Sequence, residues 1–104
     1  MHARVAVYKL KPHSSDTVIE QAEEGMLPIF RRHRGFHHYE AVKAGHDTVV
    51  SISTWDSEGE AAEAVRAAAT WVKNTIAEHV ISVESHVGHI AFSHRATHGG
   101  EHRG

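Results

Sequence analysis

The 104-residue chain has no cysteine, two prolines and a single asparagine, Asn74. Without cysteine there is no disulfide, no thiolate zinc site and no cysteine nucleophile. No apolar run approaches the roughly 20 residues that a membrane-spanning helix needs. The first residues, Met1 to Val5, lead directly into strand-like sequence and lack the apolar core of a secretory leader, so a cytoplasmic protein is expected. Neither sign of charge dominates. A net charge of −2 argues against nucleic acid as the partner, because that role needs a basic patch or stripe. There is no Gly-rich phosphate loop, no HExxH and no supportable Ser-His-Asp order.

Apolar residues make up 40% and charged residues 23%, the balance of one globular domain. Histidine is the outlier, with 12 copies. Protonating all of them beside 11 Lys/Arg and 13 Asp/Glu would carry the net charge from −2 to +10. Solubility or self-association is therefore expected to change in mild acid.

Residues 3–10 are rich in β-formers and read as a strand ended by Lys11-Pro12. Ser14, Ser15 and Asp16 are helix caps, and Thr17 to Glu20 has capping-box spacing. Val18, Ile19, Ala22, Met26, Ile29 and Phe30 recur at helical spacing, with a kink or second short helix expected at Pro28. The basic run Arg31 to Arg34 suits a helix C-terminus. Gly35 is a natural stop in the left-handed conformation. Phe36 to Ala44 and Thr48 to Trp55 form a hairpin around Gly45-His46-Asp47. Ser57 and Glu60 form a second capping box. It opens a helix with an Ala61, Val65, Ala68, Val72, Ile76 stripe flanked by Trp71. Val83 to Ser93 reads as the last strand, with Gly88 marking a bulge or close approach. Residues 94–104, rich in His and Gly, read as a disordered tail. His94, His98 and His102 recur every four residues there, but Gly99-Gly100 opposes a helix.

The order β-α-β-β-α-β is the ferredoxin-like split βαβ pattern: an α+β fold with a four-stranded antiparallel sheet and helices on one face. The second face would be uncovered: Val50 and Ile52 alternate with Val49, Ser51, Ser53 and Trp55 on strand three, and Val5 and Val7 with Ala6, Tyr8 and Leu10 on strand one, so neither face is strongly polar. An uncovered apolar face predicts a homodimer with sheets packed face to face.

Strand three ends in Thr54-Trp55-Asp56-Ser57-Glu58. With Leu27-Pro28-Ile29-Phe30, Gly35-Phe36 and Ala69-Thr70-Trp71-Val72, this resembles the dimeric α+β barrel superfamily, and within it the antibiotic biosynthesis monooxygenase-like proteins. The resemblance covers about residues 3–93, within a single domain of residues 1–93. It implies a dimeric α+β barrel that binds a flat, apolar, phenolic or quinone-like small molecule between sheet and helices and oxidises it with O2. No cofactor, no metal, no nucleic acid and no membrane are implied. Such chemistry needs a base, donors for an oxyanion and a dry pocket. His37, His38, Tyr39, Trp71, His79 and His86 are the candidate catalytic residues, and Met26, Phe30, Trp55 and Asn74 the candidate substrate contacts. Each aromatic among them also reads as core packing. His37 and His38 are consecutive on a strand and should face opposite ways. A non-catalytic ligand-binding or stress-response barrel is the alternative reading, and haem or metal binding through a histidine is a third.

Overall fold

The computed structural model describes residues 1–96. The elements are β1 (His2–Leu10), α1 (Ser15–Gln21), a π-helical turn (Ala22–Met26), α2 (Leu27–Arg31), β2 (Phe36–Lys43), β3 (Thr48–Trp55), α3 (Glu58–Thr75), a 3-10 turn (Ala77–His79) and β4 (Val80–His89). The strands form one antiparallel sheet in the order β2-β3-β1-β4. This is the ferredoxin-like arrangement.

Strand periodicity sorts the two faces. Arg4, Ala6, Tyr8 and Leu10 of β1 are buried, as are Val49, Ser51, Ser53 and Trp55 of β3. These residues are in register with one another and form the face under the helices. On the opposite face Val5, Val7, Val50 and Ile52 are half-buried, while His38, Glu40, Glu84 and His86 are exposed.

Pro28 lies in the first turn of α2. Just before it the helix widens, and the Leu27 N–H reaches the Ala22 carbonyl, an i→i−5 bond. Proline removes one hydrogen bond from a helix, and the irregular turn absorbs that loss.

Several local expectations are corrected. Gly35 does not adopt the left-handed conformation; among the described glycines Gly45 does, with φ 87°, in the β2–β3 turn. Gly35 is needed for close approach instead. A Cβ there would lie 2.2 Å from Glu60 Oε1. The reason is that the Gly35 N–H donates to Glu60 at 2.6 Å. Only half of the expected capping box therefore forms: Ser57 Oγ accepts from the Glu60 N–H at 3.3 Å, while the Glu60 carboxylate goes to Gly35.

At α1 the serine hydroxyls serve tertiary contacts rather than a cap. Ser15 Oγ donates to the His46 carbonyl at 2.8 Å, and Ser14 Oγ bonds His79 Nδ1 at 3.3 Å. The last strand begins at Val80 and ends at His89, not at 83 and 93. Gly88 pairs regularly with Ala3, and the irregularity falls between Lys9 and Leu10. A second bulge lies between Phe36 and His38. His94 has no regular structure, and His98 and His102 lie outside the described residues.

The core is densest at one end. The Phe30 ring meets Tyr39 at 5.0 Å, Trp55 at 5.2 Å and Phe36 at 6.3 Å between centroids. Farther along, Ala61, Ala64, Ala68 and Trp71 form the buried stripe of α3. Val65 and Val72, expected on that stripe, are only half-buried.

Candidate functional site

The layer under the helices is polar at its centre. Arg4 is 1% exposed. Its guanidinium donates to Tyr8 Oη at 2.9 Å and to Ser51 Oγ at 3.2 Å. It also stands 5.7 Å from the centroid of the Phe30 ring, within cation–π range. Arg4 Nε is buried and has no hydrogen-bond partner. Among the described residues no carboxylate forms an ion pair with Arg4. Next to this group, Trp55 Nε1 donates to Ser53 Oγ at 2.9 Å.

Tyr39 joins the same network from β2. Burial pushes its hydroxyl pKa up, and a side-chain hydrogen bond with Ser51 partly offsets that. Because Arg4 donates to the Tyr8 oxygen, that hydroxyl is left free to donate onward, whereas the Ser51 hydroxyl is engaged with Tyr39. The arrangement is a set of preorganised donors in an apolar shell.

Two spaces flank the network. Around Tyr39, Trp71, Met26 and Val49 the interior is nearly filled, with a cavity of about 10 Å³. That is room for no more than about one water. On the other flank, between α3 and the β1–β4 ladder, a slot of about 350 Å³ remains. Arg4 and Tyr8 form its inner wall, and Ala68, Val72, Lys73 and Val83 its sides. The slot exists because α3 presents alanines there and leaves Val83 of β4 41% exposed. A larger and more polar depression of about 540 Å³ beside the Gly45 turn is lined by Asp16, Lys43 and Asp47.

The residues anticipated from sequence divide into three groups. Met26, Phe30, Tyr39, Trp55 and Trp71 come together as the wall of the closed end. His37, at the β2 bulge, pairs with Asp56 at 2.5 Å in an exposed position. His38 and His86 lie near Glu40 at 3.4 Å and Glu84 at 3.1 Å, and both point away from the helices. His79 is tied to Ser14 and Glu78 at the end of the 3-10 turn. Asn74 is exposed on α3. The histidines therefore do not converge. Among the described residues, no group of three or more His, Asp or Glu is arranged to hold a metal ion. Arg4, Tyr8, Ser51 and Ser53 were missed. The signal for Arg4 was present: it is in phase with Ala6, Tyr8 and Leu10, so the strand that buries those residues buries it too.

Comparison with known proteins agrees with this architecture. A protein of unknown function from Nitrosomonas europaea, NE2512, superposes with a TM-score of 0.75 at 15% identity, covering 92% of this chain and 94% of that one. A monooxygenase from the gene ActVA-Orf6 of Streptomyces coelicolor, solved with the ligand nanaomycin D, gives 0.72 at 12% identity, covering 92% of each. SnoaB, a cofactor-independent oxygenase from Streptomyces nogalater, gives 0.70 at 12% identity, covering 88% and 94%. At these identities the likeness is one of fold. A search of curated proteins finds no match. The model of the antibiotic biosynthesis monooxygenase family, however, matches residues 1–74. A sheet closed on one face by two helical segments, with a donor set buried between them, is thus the frame on which this chain belongs to the antibiotic biosynthesis monooxygenase family.

Proposed function

We propose that the protein is a cofactor-independent monooxygenase that oxidises a flat, apolar, phenolic or quinone-precursor molecule with O2 in the slot between α3 and the β1–β4 ladder. The observation that carries this is the Tyr8 hydroxyl, held by Arg4, at the inner wall of a largely apolar space. At about 350 Å³ the slot lies at the small end of ligand sites.

In this reading the Tyr8 hydroxyl, held by Arg4, donates to an ionised hydroxyl of the substrate. Stabilising the anion lowers the cost of giving an electron to O2. The proton leaves through the open mouth to water. Where a ring CH2 becomes C=O, one oxygen atom of O2 enters the product and the other leaves as water. Met26, Phe30, Tyr39, Trp55 and Trp71 stand behind the donors and keep them rigid. The four strand and turn histidines lie outside the slot and have no step in it.

The test is oxygen uptake and product mass with a panel of hydroquinones and anthrones. Tyr8→Phe is expected to lower kcat/KM about 10- to 1,000-fold, the range for loss of one oxyanion donor. His37, His38, His79 and His86 variants are expected to retain activity. If every compound binds and none consumes oxygen, the reading fails.

A second reading has one observation in its favour: among the described residues, no histidine or carboxylate lines the slot to act as a base. A ligand-binding barrel without catalysis would need only the donors, and binding without turnover would establish it.

The half-buried Val5, Val7, Val50, Ile52 face supports a homodimer packed sheet to sheet. Sedimentation at micromolar concentration tests it, with a monomer as the contrary result.

A further inference from the structure

We propose that the slot selects ligands bearing a carboxylate, and that Arg4 is the residue that takes it. This rests on the ligand-binding reading above but not on catalysis.

A guanidinium has five N–H donors. Two have protein acceptors here, Tyr8 Oη and Ser51 Oγ. Nε is buried and unpartnered, and no carboxylate pairs with Arg4 among the described residues. A buried charge left without a counter-charge is strongly unfavourable. A residue that needs only to fill space at this point of β1 would be apolar, like Ala6 and Leu10 on the same face.

The wall in question belongs to the slot, and the slot's other charged residue is Lys73. Two cations, the Tyr8 and Ser85 hydroxyls and no acid line a space whose remaining walls are apolar. A ligand entering the slot reaches Nε only by uncovering it, and Nε with a neighbouring Nη–H then forms the planar fork that fits a carboxylate. The Tyr8 hydroxyl beside it remains available for a neighbouring hydroxyl of the same ring. The ligand class is a flat aromatic acid, with its ring against the Ala68 and Val72 side of α3 and its carboxylate inward.

The experiment is calorimetric titration of the full chain with 2-naphthoate and with 2-naphthamide, which share a ring but differ in charge. Naphthoate is expected to bind about ten-fold or more tightly than the amide, the scale of one charge-assisted contact. Arg4→Met is expected to abolish that preference. Because Arg4→Met can unfold the chain, the side-chain Nε–H resonance of Arg4 is followed in the unaltered protein. It is expected to move on adding naphthoate and stay in place with the amide. Ala69→Trp, at an exposed position on the slot, is expected to block both probes.

Equal affinity for the two probes overturns the proposal. So does binding of neither at millimolar concentration, a preference that survives Arg4→Met or Ala69→Trp, or an unmoved Arg4 Nε resonance. Failure of oxygen uptake with these results intact would sink the monooxygenase reading alone.

Discussion

The two ends of the layer under the helices are built from opposite materials. At one end Phe30, Phe36, Tyr39 and Trp55 interlock, and Trp71 lies so close to Gly25 that a Cβ there would meet its Nε1 at 2.5 Å. At the other, α3 offers alanines and β4 offers a half-exposed valine, Val83, and a slot remains. Large rings close space and small side chains leave it. Stability should therefore depend on the first end and ligand selection on the second, with Arg4 touching both.

Mutation can break that division. Trp55→Ala removes the fully buried ring at the closed end and is expected to cost about 3–5 kcal/mol by urea unfolding. A loss under about 1 kcal/mol would show that this end is not the stabilising one. Gly25→Ala forces Trp71 aside, for an expected cost of about 1–3 kcal/mol from overpacking. Ala69→Trp, on the open side, is expected to stay within about 0.5 kcal/mol of the parent. A large loss from it would mean that the slot is part of the core.

The smallest effect concerns alkali. Burial raises the Tyr39 hydroxyl above its ordinary value, so the folded state holds that proton more tightly than the unfolded chain. The contribution is intact below about pH 10 and is lost as pH rises through the raised value. Tyr39→Phe should flatten the fall in urea midpoint between about pH 9 and 11. Identical slopes would mean that Tyr39 is not held in a dry setting.

The sequence carried the fold because period-2 and period-3.6 patterns are local. Val5/Val7 against Ala6/Tyr8/Leu10 sorts one strand, and Ala61, Ala68 and Ile76 mark the buried side of α3. The site was less legible. Histidines attract attention as bases, yet His38 and His86 sit on β2 and β4, at opposite edges of the sheet and away from the helices. Which strands neighbour each other is not written in a local period. Arg4 was readable by phase but overlooked, because charge usually marks a solvent-facing position. The Glu60–Gly35 contact spans 25 residues, and no spacing rule announces it.

The widened turn before Pro28 has a consequence for how this region can change. Val18, Ala22, Met26 and Phe30 are all buried, at intervals of four. On an ideal α-helix each such step would swing the side chain about 40° further round the axis, or about 120° by Phe30. The slack turn takes back much of that rotation and keeps one edge facing the sheet. Deleting a single residue between Ala22 and Met26 would therefore turn Phe30 outward and empty the aromatic end, whereas an exchange such as Glu23→Ala on the outer side would pass unnoticed.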